Sequence, residues 1–309
     1  MRIRMRRIRL VQLSVASLAA AAAAVALLPT ASASAAGTST PSTAPVAQSA
    51  SDRQAAANKA LVLYVQDQLW NDGNYSVIDK YVASDYTQHN PTVANGPEAL
   101  RELVTKVRAG FPQLHITAVS AVAEGDLVIL HNQAAGQANF DMYRVENGKL
   151  IEHWDVLESA PSSTASGNDP FSQLSKPASD SAPDAVTAQD KGVVLDYVTS
   201  LMQDHELSAI DRYVAPSVYQ HDPAIANGAA ALTQYYSSLF ATSPWFDVQV
   251  AQVVAEGDLV AVHAHLKDAP SDLGQAVVYL FRVEGGRIVE QWGSAENVPA
   301  TSANSNTMF

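Results

Sequence analysis

Gly148-Lys149-Leu150-Ile151-Glu152-His153-Trp154-Asp155-Val156 places an acid and a proton carrier on one short stretch of chain. It follows Asn147-Gly148 and alternates apolar with polar residues, which predicts the second arm of a tight β-hairpin. Side chains along a strand alternate faces, so His153 and Asp155 are expected on one face with Ile151 and Leu157, and Glu152 and Trp154 on the other. Two ionisable groups then sit side by side on a mostly apolar surface. A carboxyl group there tends towards a raised pKa and can act as a general acid or base near neutral pH.

The stretch has an altered second copy, Gly286-Arg287-Ile288-Val289-Glu290-Gln291-Trp292-Gly293-Ser294, in which Gln291 stands for His153 and Gly293 for Asp155. The copying extends along the chain. Lys59 matches Lys191, Gln88-His89 matches Gln220-His221, Ala94-Asn95-Gly96 matches Ala226-Asn227-Gly228, and Ala123 to Val128 matches Ala255 to Val260, all at an offset of 132. From Arg144-Val145-Glu146 on Arg282-Val283-Glu284 the offset is 138, so six residues have entered between His263 and Tyr279, most simply in a hairpin loop at Asp268 to Asp272. One length change across a whole domain means duplication of one fold. Asn168 and Phe171 match Asn306 and Phe309, which makes the segment after Glu158 a domain tail and leaves residues 172–184 as linker.

The 309 residues suffice for two domains with separate cores. Residues 1–36 carry five arginines, an alanine-rich apolar run from Leu10 to Leu28 and Ala-Ser-Ala steps, the pattern of a bacterial secretory signal; an uncleaved anchor is the other reading of that run. Residues 37–50 are a Ser/Thr/Pro/Ala spacer of the kind that stays disordered, and the mature protein is expected outside the cell. Without the signal arginines, 14 basic and 31 acidic residues remain, a formal charge of −17. That charge argues against nucleic acid and anionic membranes as partners. The absence of cysteine removes disulfides and thiol chemistry.

Helical spacing begins near Ser51, a candidate N-cap, and continues through Leu69 and Trp70. Helices are also expected over residues 75–82 and from Gly96-Pro97 to about Ala109, then strands at about 113–123, 127–135, 137–146 and 149–158. The expected architecture is α+β: two tandem cones over residues 51–171 and 185–309, each with about three helices packed on a curved antiparallel sheet.

Gln88-His89-Asn90-Pro91, Glu124-Gly125-Asp126-Leu127-Val128, His131, Arg144-Val145-Glu146-Asn147-Gly148-Lys149 and His153-Trp154-Asp155, with tails ending in Phe171 and Phe309, resemble the SnoaL-like branch of the nuclear transport factor 2-like superfamily. The resemblance spans nearly all of the mature chain. It implies cofactor-independent acid/base chemistry of the aldol-cyclase type, with the aspartate at Asp155 moving the proton. His153 and His89 are the accompanying catalytic candidates, and His131, Phe140, Met142 and Trp70 the candidate substrate contacts. Asp141 is a secondary candidate, better read as a hairpin or interface residue. Retention of His89 as His221 in the copy lacking the acid favours a structural role for it.

Trp154 and Trp292 recur in both copies and are read as packing residues, and Tyr235, Tyr236, Trp245 and Phe246 as core or pocket wall of the second domain. His263 and His265 share a strand face as a metal pair could, but no third ligand supports them, so neither metal nor cofactor is expected. The partner is a small hydrophobic molecule. The repeats should form an internal pseudo-dimer, with a homo-oligomer left open. Three functions compete: a cyclase, isomerase or lyase using Asp155; epoxide opening or hydrolysis by the same carboxyl; and a secreted module that binds a small molecule without chemistry. A pocket vestigial in both domains is the bland alternative.

Overall fold

A computed structural model describes residues 49–134, 136–161, 163–172 and 184–309. The expected signal segment, most of the spacer and most of the linker lie outside them. The first helix, α1 (Ala50–Gln66), is capped by Ser49 rather than Ser51. Asp52 decides this: its N–H donates to Ser49 Oγ at 3.1 Å while its carboxylate accepts from the Ser49 N–H at 2.9 Å, a complete capping box. α1 runs into one π turn, Asp67–Asn71, followed by α2 (Ser76–Tyr81), β1 (Val82–Gln88), α3 (Pro97–Gly110), β2 (Ile116–Glu124), β3 (Leu127–Ala134), β4 (Gln137–Glu146) and β5 (Lys149–Ser159). The second repeat copies this order: α4 (Asp184–Tyr197), a π turn, α5 (Ser208–Tyr213), β6 (Val214–Gln220), α6 (Ala229–Thr242), β7 (Asp247–Glu256), β8 (Leu259–Lys267), β9 (Gln275–Glu284) and β10 (Arg287–Asn297). Five of the six extra residues fall at the β8–β9 turn, which spans residues 268–274 where β3 and β4 are two residues apart, and the sixth lengthens β8.

Each repeat forms a five-stranded sheet, in the orders β1-β5-β4-β3-β2 and β6-β10-β9-β8-β7. β1 is absent from the sequence expectations. It is short, follows α2 without a turn, and exposes Ser84 and Asp85 consecutively, so it lacks alternation; its parallel pairing with β5 holds it. Gly96 and Gly228, both at φ 95°, carry the chain into α3 and α6, and Asn95 and Asn227 accept from the Gln88 and Gln220 N–H groups. The repeated Ala-Asn-Gly is thus a loop device.

A bulge sets the faces of the central hairpin. From the Asn147-Gly148 turn, Glu146 faces Lys149 and Val145 faces Leu150, but Arg144 then faces Glu152, leaving Ile151 as an extra residue. Beyond it Met142 faces Trp154, Asp141 faces Asp155 and Phe140 faces Val156. A bulge-free hairpin would have set Phe140 beside Asp155 and Met142 beside His153, because a one-residue slip turns every side chain to the other face.

The face bearing Phe140, Met142, Trp154 and Val156 packs against Val254, Ala261, Val278, Leu280 and Trp292 of the second sheet in one buried apolar cluster. Fully burying such a side chain is worth about 1.5–3 kcal/mol, so this contact is a large share of what joins the repeats. Charged clamps repeat on either side of it. Glu256 accepts from Lys59 Nζ at 2.6 Å and the Ala123 N–H at 2.8 Å; Glu124 accepts from Lys191 Nζ at 2.7 Å and the Ala255 N–H at 2.9 Å. The recurrent Lys and Glu-Gly-Asp motifs therefore serve the pairing of the repeats. Phe140, Met142 and His131, expected as substrate contacts, lie at this inter-sheet layer; His131 stacks on Phe140 with ring centroids 4.5 Å apart. Burial, with His221 nearby, pushes the His131 pKa down to about 3, so it stays neutral.

If Met142 belongs to the inter-sheet core, Met142→Ala should cost about 2–5 kcal/mol in urea denaturation while leaving the affinity for a cavity ligand unchanged.

Candidate active site

Under the helices of the first repeat the other face of the sheet closes a cavity of about 540 Å³. Val62, Leu69, Trp70, Leu100 and Val107 supply apolar wall from the helices, and Leu150, His153, Asp155 and Leu157 come from β5. Trp70 lines the cavity. Leu150 takes the place expected for Ile151 because of the bulge. Phe111, largely exposed after α3, sits on the rim.

Asp155 is buried in this wall. Its Oδ2 accepts from Asn90 Nδ2 at 2.7 Å, whereas its Oδ1, also buried, has no hydrogen-bond partner. Burial raises its pKa and the neighbouring Asp141 carboxyl adds to the rise, against the opposing pull of His153, Asn90 and its own backbone N–H. Asp141 stands directly opposite on β4, with His153 as its diagonal neighbour: His153 Nε2 lies 3.2 Å from Asp141 Oδ1. His153 Nδ1 lies 2.9 Å from Gln88 Oε1, which also accepts the Asn90 N–H at 2.9 Å. That second donor fixes the Gln88 amide as acceptor, so Nδ1 carries a proton. Burial works against the His153 cation, but the Asp141 hydrogen bond and the charges of Asp155 and Asp141 outweigh it and raise the pKa.

Behind Asp141 a further pair completes the network. Asn132 Nδ2 donates to Asp141 Oδ2 at 2.7 Å and to Gln66 Oε1 at 2.8 Å, and Gln66 Nε2 returns a bond to Asn132 Oδ1 at 3.0 Å. Tyr86 and Tyr143 add two phenols to the wall, both held protonated by burial. The Tyr143 ring lies 4.7 Å from that of His153. Hydrogen bonds thus run from Gln66 through Asn132, Asp141, His153, Gln88 and Asn90 to Asp155, whose second oxygen is left without a partner.

The sequence missed most of this set. Asp141 belongs to the cavity, and Gln66, Tyr86, Asn90, Asn132 and Tyr143 were not singled out. The repeat held a signal for them. At the matching positions the second copy has Val198, Val218, Asp222, Ala264 and Phe281, and Tyr279 for Asp141, so Gln66, Tyr86, Asn132 and Tyr143 have all been exchanged for apolar residues. Tyr279 faces Gly293 across the strands, and a Cβ at Gly293 would meet the Tyr279 ring at 3.2 Å. The tyrosine ring fills the space that an acid side chain would need. Tyr236 and Phe246 are buried in the second core as expected, but Trp245 is exposed.

His89 lies outside the cavity. It stacks on Trp154 at 4.6 Å, binds Glu152 at 2.9 Å through Nε2, and meets the Thr307 carbonyl oxygen through Nδ1. His221 repeats this arrangement with Trp292, Glu290 and the Asp169 carbonyl. Its recurrence is structural. His263 and His265 pack against Phe309 of the C-terminal tail. Among the described residues, Asp141, His153 and Asp155 present one ligand-capable atom each within 4.8 Å of one another, a set that could take a cation. His153 Nε2 is already directed at Asp141 Oδ1, so the arrangement as it stands is a proton-sharing one. No helix among the described residues is long and apolar enough to cross a membrane.

Comparison with known proteins bears on both repeats. The sequence model described as SnoaL-like polyketide cyclase matches residues 60–165, and that described as SnoaL-like domain matches residues 194–291. A curated relative, the probable cyclase otaY of Aspergillus carbonarius, is 29% identical over 101 residues, covering 31% of this chain and 80% of its own. Among solved structures, an NTF2-like protein of unknown function from Mesorhizobium loti is 23% identical, covering 38% of this chain and 98% of its own with a TM-score of 0.33. A SnoaL-like protein of unknown function from Burkholderia thailandensis is 15% identical, covering 36% and 98% with a TM-score of 0.32. With an α+β cone in each half and both halves matched, this chain belongs to the SnoaL-like family, of which it carries two domains in tandem.

Proposed function

We propose that the first repeat is a cofactor-independent acid/base catalyst, an aldol-type cyclase, isomerase or lyase, acting on a small hydrophobic carbonyl compound through Asp155 in an exported protein. One observation carries this reading: Asp155, a buried carboxyl in the wall of a largely apolar cavity, has one oxygen with no hydrogen-bond partner. Orphaned buried acceptors are costly, and one kept at a cavity wall is explained by a proton it has to receive. In the ionised state Oδ1 takes a proton from the carbon next to a carbonyl. Negative charge then develops on the carbonyl oxygen. Tyr86 and Tyr143 are the donors available to hold it beside the His153 cation, and the apolar wall strengthens such bonds by keeping water away. Asn90 fixes Asp155 in one orientation, and Asp141 keeps His153 protonated. A cavity of about 540 Å³ suits a ligand of several fused or substituted rings.

Asp155→Asn keeps the shape and removes the base. In turnover of an aromatic β-diketone or polyketide mimic it should lower kcat by about 10²–10⁴-fold with little change in KM. Unchanged turnover would refute Asp155 as the base; tight binding with no turnover in either protein would favour the binding module. The activity of the parent protein should rise as pH climbs through the raised Asp155 pKa and fall as His153 loses its proton. Asp141→Asn removes what raises the His153 pKa, so the falling limb should move to lower pH.

The same substitution has a stability signature. A carboxyl whose native pKa lies above its unfolded value contributes stability that is complete below the unfolded pKa and is lost as pH rises through the native one. Asp155→Asn should therefore melt higher than the parent protein at pH 7, and the difference should vanish below about pH 4, as read by thermal scans across that range.

A further inference from the structure

The tails of the two repeats cross, and the crossing is not symmetric at the site. The tail of the first repeat runs over the Gln220–Asn227 loop of the second: Asn168 Nδ2 donates to the Gln220 carbonyl at 2.7 Å and to Asn227 Oδ1 at 2.8 Å, and the Ala165 N–H donates to the Pro223 carbonyl at 2.9 Å. The C-terminal tail returns the arrangement on the Gln88–Asn95 loop. Asn306 Nδ2 donates to the Gln88 carbonyl and to Asn95 Oδ1, both at 2.8 Å, and the Ala303 N–H to the Pro91 carbonyl at 2.7 Å. These bonds are a matched pair, with the tails at the offset of 138 and the loops at 132.

Asn304 has no such counterpart. Its Nδ2 forks to the carbonyls of Asn90 and Val93, both at 2.8 Å, so the tail grips the backbone of the residue whose side chain holds Asp155. The corresponding residue of the first tail is Ser166, which binds within its own tail, and the loop residue matching Asn90 is Asp222. The extra grip is found where a loop amide must orient a carboxylate and not in the copy that has lost it.

We propose that Asn304, carried by the otherwise degenerate second repeat, is a positioning residue for the proton-transfer site of the first, fixing the Asn90 loop so that its amide orients Asp155. The catalytic consequence rests on the acid/base role proposed above; the geometric one does not. Asn304 touches neither the cavity nor Asp155. It acts through one turn of backbone, which Asn90 Oδ1 tightens by accepting the Thr92 N–H at 2.8 Å. A single hydrogen-bonded loop supported on its far side by another domain gives the second repeat a task that does not require a pocket of its own.

The test uses the full chain with Asn304→Ser, the residue the other tail carries at that place, and Asn168→Ala, which removes the matched staple at the second repeat. The Asp155 titration is followed by carboxyl NMR, and kcat and KM with the same β-diketone probe. Loosening Asn90 withdraws a bond that favours the ionised carboxyl, so Asn304→Ser should raise the Asp155 pKa by about one pH unit and lower kcat about ten-fold with KM nearly constant. Asn168→Ala should move neither. An Asp155 titration unchanged in Asn304→Ser, or moved equally by Asn168→Ala, overturns the inference. A titration that moves in a protein without turnover upholds the positioning and counts only against the acid/base reading.

Discussion

Burial of one face of each sheet against the other repeat decides where everything else in this protein can go. Once Trp154, Met142 and Phe140 are committed to the inter-sheet layer, strand alternation sends His153, Asp155 and Asp141 to the opposite face, under the helices. There they are enclosed by α1, its π turn and α3, and the carboxyl groups leave water. The raised Asp155 pKa follows from that enclosure as directly as the packing of the tryptophans does. The apolar contact thus supports the fold and also selects which residues line the cavity.

Much of this was legible in the sequence. The offsets of 132 and 138 located both repeats and the hairpin with the insertion, and alternation placed four strands per repeat within a few residues. The burial of Asp155 followed from its apolar neighbours. What failed did so for a local reason. The bulge at Ile151 cannot be read from an alternating pattern, and without it the hairpin register puts Phe140 and Met142 on the cavity side and Asp141 away from it. β1 was illegible because its partner is non-local, 65 to 68 residues along the chain at Leu150 to His153. Gln66 and Asn132, single amides on α1 and β3, acquire meaning only when the fold pairs them.

The second repeat shows the same scaffold without the His153 and Asp155 of the first. Its inter-repeat machinery remains: Lys191, Glu256, His221, Arg282 and Trp292 do what their counterparts do, and the Arg282–Glu290 pair is wholly buried. Its cavity wall does not remain. Tyr279 over Gly293 and the valines at 198, 218 and 277 turn a polar recess into ordinary core. One face of the sheet is thus kept between the repeats while the other differs, which the period-two geometry of a strand allows.

The crossed tails carry a consequence in mass action. Were the two cones separate chains, each would depend on its neighbour's tail for its loop, and dilution would dissolve the pair and loosen both loops together. Joined in one chain, the second cone is supplied at an effective concentration that does not fall with the protein's own. The join also frees the halves from sharing every substitution, as the subunits of a homodimer must. An asparagine can then stand at 304 with a serine at 166, and one half can be altered solely for the benefit of the other.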